Sequence, residues 1–233
     1  MSWLSSGISG DSVQPHTSNK QTRNINMSNL TFYRHPVSGH AHRVELLLSL
    51  LGLQADVINV DLMKGAQKKP EFIAKNPFGQ VPALTDGDVT LADSNAILIY
   101  LATKYAANNT WLPTGAVEAA QVQQFLSVAA GPVVQGPANA RLITIFGASY
   151  DAQKTIEISH KLLSVIDAHL AGKDWLVGEN PTIADVANYA YIAHAPEGNV
   201  DIAKYENIQL WLKRIENLTG FVPLNKTAVG LAA

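Results

Sequence analysis

The chain of 233 residues contains no cysteine. This absence excludes disulfide bonds, a catalytic thiol supplied by the protein and any metal site built on thiolates. If thiol chemistry takes place on this protein, the thiol therefore has to arrive on a ligand.

Positive charge and long apolar runs are scarce as well. The 17 Lys and Arg residues are scattered, and 19 Asp and Glu residues bring the net charge to −2. No basic stripe is available to neutralise a row of phosphates, so we predict no nucleic-acid partner. No stretch reaches the roughly 18 consecutive apolar residues that a membrane-spanning helix requires. We therefore predict a soluble protein with no membrane partner.

The first 26 residues are rich in Ser, Asn, Gln and Gly and show no hydrophobic periodicity. They also lack the continuous apolar segment of a secretion signal. We interpret residues 1–26 as a disordered tail or an added leader, with Met27 as a natural start. The residues alone leave open whether this segment is native.

Strand and helix patterns alternate from Leu30 to Tyr105. In chain order the patterns predict a strand at 30–33, a helix at 39–51, a strand at 56–60, a short helix at 71–74, a hairpin of strands at 81–84 and 89–91, and a helix at 93–105. We expect the second strand to be buried on at least one side and parallel to the first. The hairpin adds antiparallel pairs, so the spacing predicts a mixed four-stranded sheet.

The second half of the chain carries helix patterns only. They predict helices at 116–130, 151–170 and 208–218, and another that opens at Thr182 with Asp185 three residues later, as in a capping box. Strands in one half and helices in the other favour two domains. We predict an α/β domain over 27–106, a linker over 107–115 and an all-α domain over 116–233.

Three separated motifs resemble one known family. They are Asn76-Pro77-Phe78-Gly79-Gln80-Val81-Pro82-Ala83-Leu84, then Leu91-Ala92-Asp93-Ser94-Asn95-Ala96-Ile97, then Gly178-Glu179-Asn180-Pro181-Thr182-Ile183-Ala184-Asp185. Their order and spacing resemble the cytosolic glutathione transferases over most of the chain, from Leu30 to Pro223. The resemblance implies a thioredoxin-like domain that binds glutathione and a helical domain that binds a hydrophobic second substrate.

The resemblance also implies which residues bind glutathione. We expect Pro82 to follow a cis peptide bond and the Val81 backbone to pair with the cysteinyl part of the tripeptide. Asp93 and Ser94 begin a helix whose free amides favour an anion, and in the family they hold the γ-glutamyl group. The alternative interpretation is that Asp93 or Ser94 only caps the helix.

Three further side chains match glutathione contacts less closely. Gln80 is expected to add a polar contact, and Gln67 and Lys68 match positions that meet the glycyl carboxylate in plant-type members. Lys69 is an alternative to Lys68, and a solvated polar loop is an equally good interpretation of this segment.

Ser38 is the predicted thiol activator. The run from His35 to Val44 resembles the serine-type pattern of phi-like and bacterial members, in which a proline precedes the serine by two residues. Tyr33 is a weaker candidate, because aligning Pro36 with tyrosine-type members places Arg34 at the tyrosine position. Ser38 can also be read as an ordinary N-cap.

The histidines near Ser38 do not have the spacing of a metal site. His40 and His42 do not share a helical face and no carboxylate cluster accompanies them, so we predict no bound metal. His40 is expected to line the site, or else to cap the helix or face solvent.

Other residues have roles that the sequence specifies less sharply. The segment 131–147 should lie near the cleft and shape the pocket of the second substrate. Thr182 and Asp185 are interpreted as folding determinants. Phe78 is either a core aromatic or a side chain that inserts into a partner subunit, since the family is commonly dimeric.

The resemblance implies a cytoplasmic glutathione S-transferase that forms a homodimer and uses glutathione as a co-substrate, without a cofactor. Its activated thiol would attack hydrophobic electrophiles or reduce organic hydroperoxides. The lack of cysteine argues against the branches whose own thiol exchanges disulfides. Two alternatives remain, a noncatalytic glutathione or hydrophobic-ligand binding protein and a structural domain of a larger complex. The physiological electrophile cannot be read from the sequence.

Overall fold

The computed structural model describes residues 29–233, so the prediction for residues 1–26 lies outside the described part. The first half contains β1 (Leu30–Arg34), α1 (Gly39–Leu50), β2 (Asp56–Asn59), α2 (Pro70–Ile73), β3 (Ala83–Asp86), β4 (Val89–Ala92) and α3 (Ser94–Tyr105). This is the predicted order of strands and helices.

The four strands form one mixed sheet in the order β2-β1-β3-β4. β1 is parallel to β2 and antiparallel to β3, and β3 is antiparallel to β4. In this register Phe32 lies opposite Leu84, and both side chains are fully buried. They share one apolar cluster with Val44 of α1 and Leu101 of α3, so these two helices cover the same face of the sheet.

The second strand differs from the prediction. All four residues of β2 are exposed, with Val57 and Ile58 at 49% and 43% of full exposure. β2 is an edge strand, and its apolar side chains are open to solvent in the described chain. The expectation of burial is therefore wrong for 56–59, because apolar composition does not tell whether the chain itself supplies a cover. It is confirmed for Val60, the last residue of the predicted strand, which is 6% exposed.

The second half is helical. It contains α4 (Ala116–Ala130), α5 (Asn139–Phe146), α6 (Ala152–His169), α7 (Ile183–Ala193) and α8 (Glu206–Glu216). Helix α7 packs against α1, α3 and α4, and nearly all of its residues are buried. It therefore joins the helical part to the sheet part through one continuous apolar core. None of the helices in residues 29–233 has the length and apolar character that crossing a membrane requires.

Helix α5 and the π-helical turn before it, Val134–Ala138, did not emerge from the sequence pattern. Prolines and glycines interrupt the helical signal there, and Pro137 lacks a backbone donor. Gly136 is needed for packing, because a β-carbon at this position would lie 2.8 Å from Ser159 Oγ on α6. Tertiary packing therefore outweighs a weak local helix signal in this segment.

The N-terminus of α7 has the predicted capping box. Thr182 Oγ1 accepts a hydrogen bond from the Ala184 amide at 3.2 Å, and the Asp185 carboxylate accepts one from the Thr182 amide at 2.8 Å. Asp185 also accepts hydrogen bonds from the Leu176 amide and from Trp211 Nε1. Burial nevertheless raises the pKa of Asp185, against the effect of these donors.

Candidate active site

A cleft of about 380 Å³ lies between the sheet part and the helical part. Eight of the ten predicted site residues line it: Ser38, His40, Gln67, Gln80, Val81, Pro82, Asp93 and Ser94. The opposite wall comes from the segment between Val134 and Tyr150, together with Tyr191 of α7. Segment 131–147 therefore lies beside the cleft, as predicted.

Ser38 is the N-cap of α1. Its Oγ accepts a hydrogen bond from the Ala41 amide at 3.2 Å. Because the oxygen acts as the acceptor in that bond, the hydroxyl proton remains available to a group in the cleft. The capping role and the thiol-activating role are thus compatible at this one residue.

The first turn of α1 is closely packed. Gly39 lies under the Tyr191 ring, and a β-carbon at this position would come within 2.7 Å of ring carbons. Burial raises the pKa of the Tyr191 hydroxyl, against the opposing effect of the Arg43 and Arg141 charges and of the His40 and Gly39 backbone amides. Only glycine lets the backbone pack this closely against the Tyr191 ring. This packing holds in place the N-terminus of α1, which carries Ser38.

The peptide bond between Val81 and Pro82 is cis, as predicted. Strand β3 begins only at Ala83, so the Val81 backbone lies outside the sheet ladder and at the cleft. Asn76 supports this loop, because its side-chain amide donates to the Gln80 carbonyl at 2.7 Å and its oxygen accepts from the Phe78 amide.

Asp93 and Ser94 form the N-terminus of α3. Asp93 has a φ of 70°, a conformation that non-glycine residues rarely adopt and that is often found at functional sites. Its Oδ1 caps the helix by accepting from the Asn95 and Ala96 amides. Its Oδ2 has no protein partner in residues 29–233 and faces solvent with the exposed side chain. Ser94 is only 3% exposed and accepts a hydrogen bond from Arg43 at 3.2 Å.

Arg43 donates a hydrogen bond to His40, a contact that the sequence did not predict. Arg43 is 1% exposed, and its Nη1 donates to His40 Nδ1 at 3.0 Å. Burial, together with the neighbouring guanidinium, lowers the pKa of His40 to about 3. His40 therefore lines the cleft as a neutral imidazole.

The remaining glutathione-site candidates occupy different places. Gln67 lines the cleft, and its buried Oε1 has no hydrogen-bond partner in the described part of the chain. Lys68 is exposed, and its Nζ approaches the Phe78 carbonyl at 3.5 Å, at the rim. Lys69 is also exposed and is not among the residues that line the cleft.

Tyr33 does not reach the cleft. Its ring packs edge-on against Phe72 at a centroid distance of 6.3 Å, and Lys75 Nζ lies over its face. It belongs to a small second apolar cluster with Val60 and Ala83. The expectation that Tyr33 lines the site is therefore wrong. Successive side chains along β1 point to opposite faces of the sheet, and the Tyr33 ring lies on the face that packs against Phe72.

The helical wall of the cleft is mostly apolar. Its lining side chains are Val134, Ala138, Leu142, Ile145, Phe146 and Tyr150, together with the polar Asn139 and Arg141. An apolar wall opposite a polar one suits a ligand that has two chemically different parts.

Arg141 ties the helical wall to the loop that carries Ser38. It is buried, donates to the Val37 carbonyl at 2.6 Å and pairs with Glu197 at 2.5 Å. Burial opposes ionisation of Glu197, but hydrogen bonds from Thr227, His194 and Arg141 lower its pKa to about 2. The sequence pattern indicated Arg141 only as part of segment 131–147. Its hydrogen bonds could not be predicted, because its partners lie far away in the chain.

In residues 29–233 no group of three or more His, Asp or Glu side chains is arranged to hold a metal ion.

Comparison with protein families gives two matches along the chain. Residues 28–103 match the N-terminal domain of glutathione S-transferases, and residues 144–219 match the C-terminal domain. Glutathione S-transferase 3 of Zea mays is 39% identical over 176 residues, covering 71% of this chain and 78% of the relative. Glutathione S-transferase F10 of Arabidopsis thaliana is 31% identical, covering 81% and 92%.

Solved structures agree with this assignment. A glutathione S-transferase from Pseudomonas fluorescens superposes with a TM-score of 0.80 at 32% identity, covering 85% of this chain and 100% of the other. A Drosophila mojavensis glutathione transferase homologue with bound glutathione gives 0.76 at 30% identity, covering 82% and 89%. The mixed sheet and the helical second half thus have the fold of solved glutathione transferases, and the chain belongs to the glutathione S-transferase family.

Proposed function

We propose that this glutathione transferase is of the serine type and that the Ser38 hydroxyl stabilises the thiolate of bound glutathione for attack on a hydrophobic electrophile. The observation that carries the proposal is that Ser38 presents a free hydroxyl proton at a helix N-terminus in the cleft, opposite an apolar wall.

Glutathione fits the polar wall group by group. The Ser94 hydroxyl oxygen accepts from Arg43 and lies 3.5 Å from His40 Nδ1, and its hydrogen can rotate toward the γ-glutamyl carboxylate. The N-terminus of α3 adds positive potential there. Asp93 Oδ2 suits the γ-glutamyl ammonium, and the Val81 backbone suits the cysteinyl amide. Gln67, Lys68 and Gln80 then remain for the glycyl end, where Lys68 provides a cation at the rim.

Ser38 has a modest energetic task. A free thiol has a pKa of about 8.5, so only a few per cent is ionised at neutral pH. Lowering the pKa by about 2 units takes about 2.7 kcal/mol of preferential stabilisation of the thiolate. One hydrogen bond to the charged sulfur and the dipole of α1 together supply this amount, so no general base is needed.

The apolar wall favours a hydrophobic second substrate. Phe146 and Tyr150 are 38% and 49% exposed, and both line the cleft. An electrophilic carbon or an organic hydroperoxide held against them would meet the thiolate. Conjugation and peroxide reduction both follow from this arrangement, and we propose conjugation as the main activity.

A homodimer in the cytoplasm completes the proposal. Phe78 is 80% exposed at the tip of the loop braced by Asn76, which removes the alternative that it is a core aromatic. Such a side chain suits insertion into a partner subunit. The resemblance to cytosolic members supports the cytoplasmic location, and glutathione serves as co-substrate rather than cofactor.

Initial-rate conjugation of glutathione to a chlorodinitrobenzene, with glutathione affinity measured by calorimetry, tests the proposal. We expect both binding and turnover. Binding without turnover toward this electrophile or toward cumene hydroperoxide would support the alternative of a noncatalytic binding protein. Absence of binding would contradict the assignment of the cleft to glutathione.

A further inference from the structure

We propose that His40 is a second catalytic hydrogen-bond donor, with its Nε2–H directed at the glutathione sulfur beside Ser38, and that Arg43 is the positioning residue that sets its tautomer. This inference rests on the proposed function, since it concerns the same thiolate.

The contact with Arg43 determines which ring nitrogen carries the proton. A guanidinium has donors only, and Nη1 of Arg43 lies 3.0 Å from His40 Nδ1. Nδ1 must therefore accept, and a neutral ring then holds its proton on Nε2. The same Nη1 donates to Ser94 Oγ at 3.2 Å, so one cation orients both side chains.

Arg43 is held firmly enough for this role. Its Nη2 donates to the Ala129 carbonyl at 3.0 Å, across the boundary to α4. Its guanidinium also lies 5.6 Å from the centre of the Tyr191 ring. Burial lowers the pKa of Arg43 to about 10, which still leaves it charged at neutral pH. The donor facing His40 is thus permanent under physiological conditions.

The Nε2 edge of His40 is the edge left for a ligand. Nε2 makes no hydrogen bond with residues 29–233, and it is not one of the buried side-chain atoms that lack a partner. It therefore retains some solvent contact, and His40 lines the cleft. His40 follows Ser38 by two residues in the first turn of α1, so both donors belong to one helix end.

A role as general base does not fit this environment. The charged or titratable groups around the ring are Arg43 on its own helix, Tyr191 on α7 and, through Arg43, Asp93 before α3. Burial and the Arg43 charge disfavour a second proton on the ring, with a pKa of about 3. Near neutral pH the ring carries one N–H proton, on Nε2. His40 shares this proton in a hydrogen bond and does not transfer it.

The test is a pH titration of the thiolate absorbance of glutathione bound to the wild-type protein, His40→Leu and His40→Gln. We expect His40→Leu to raise the thiol pKa by about one unit and to lower kcat/KM near pH 5.5, below the wild-type thiol pKa, about tenfold, which corresponds to about 1.4 kcal/mol. The amide donor of His40→Gln should restore much of the difference. His160→Gln is the control, since His160 lies on α6 beside Tyr205.

An unchanged thiol pKa in His40→Leu would overturn the inference, as would a loss of glutathione affinity with no change in thiol pKa. Ser38→Ala measured in parallel separates the two proposals. If the wild-type thiol pKa is unshifted, the proposed function fails; if Ser38→Ala raises it and His40→Leu does not, only the role of His40 fails.

A second measurement does not depend on how the leucine variant folds. Nitrogen-15 NMR of the wild-type histidines, with the His40 signals assigned from His40→Gln, reports the tautomer directly. We expect a proton on Nε2 and none on Nδ1 from pH 5 to 8, and a shift of the Nε2 signal when glutathione binds. A proton on Nδ1, a titration near pH 6.5, or an Nε2 signal unmoved by glutathione would overturn the inference.

Discussion

Side chains cap helix N-termini in both halves of the molecule, but the surroundings of these caps differ. Ser38 on α1 and Asp93 on α3 lie at the cleft, where each keeps an unused hydrogen-bonding atom. Thr182 and Asp185 on α7 are 2% and 1% exposed, and their polar atoms are bonded within the protein. We call Ser38 and Asp93 open caps, and the pair Thr182 and Asp185 a closed cap. On the proposed function, the open caps bind the ligand and the closed cap stabilises the fold.

This comparison separates two kinds of mutational effect. A closed cap should affect the free energy of unfolding and leave the activity per folded molecule unchanged. An open cap should affect thiol ionisation or glutathione affinity more than stability, because the protein uses only part of its hydrogen-bonding capacity.

The largest effect is expected at Asp185. Asp185→Ala leaves the Leu176 amide, the Thr182 amide and Trp211 Nε1 buried without an acceptor. We expect a loss of about 3–5 kcal/mol in the free energy of unfolding, measured with denaturant. The activity of the remaining folded protein should be unchanged. A large loss of activity at unchanged stability would break the comparison.

Ser38→Ala comes next. It removes the donor to the thiolate and should raise the thiol pKa from about 6.5 toward about 8.5, which lowers the thiolate fraction at pH 7 by up to about 25-fold. We expect turnover at neutral pH to fall by a similar factor while calorimetry still detects glutathione binding. Ser38→Thr retains a hydroxyl and serves as the matched control. Equal loss in both variants would assign the effect to disturbance of α1 rather than to the hydroxyl proton.

Asp93→Asn separates two roles of Asp93, the capping of α3 and the proposed binding of the γ-glutamyl ammonium by its negative charge. Asparagine has a similar shape, caps helices well and tolerates positive φ, so stability should change by less than about 0.5 kcal/mol. Without the carboxylate for the γ-glutamyl ammonium, we expect glutathione affinity to fall about tenfold. If affinity stays the same, Asp93 only caps α3.

The smallest effect is expected for Thr182→Ala. It removes one side-chain acceptor from the Ala184 amide, and we expect a loss of about 1 kcal/mol in the free energy of unfolding. Glutathione affinity and turnover per folded molecule should match the wild type. A changed KM for glutathione would show that this closed cap reaches the cleft.

The elements and caps could be predicted because their signals are local. The β-α-β opening, the Asp-Gly hairpin and the capping box are each written in a few consecutive residues. The same holds for Ser38, Val81, Pro82, Asp93 and Ser94, which line the cleft. A helix N-terminus or an X-Pro bond has its own sequence signature before any tertiary contact forms.

The parts that were missed depend on distant residues. Arg43 reaches Ala129, and Arg141 joins Val37 to Glu197, so neither hydrogen-bond network has a local pattern. Helix α5 forms although prolines and glycines precede it. β2 is exposed although its two central residues, Val57 and Ile58, are apolar. Tyr33 was misplaced because the face of the strand, not its distance along the chain, decides which side chains reach the cleft.

Thiolate stabilisation at Ser38 is tested by the pKa of the glutathione thiol bound to the wild-type protein, obtained from thiolate absorbance against pH. We expect a value near 6.5, about 2 units below that of the free thiol, and a return toward about 8.5 in Ser38→Ala. A bound thiol that titrates near 8.5 in the wild type would contradict thiolate stabilisation at the open cap.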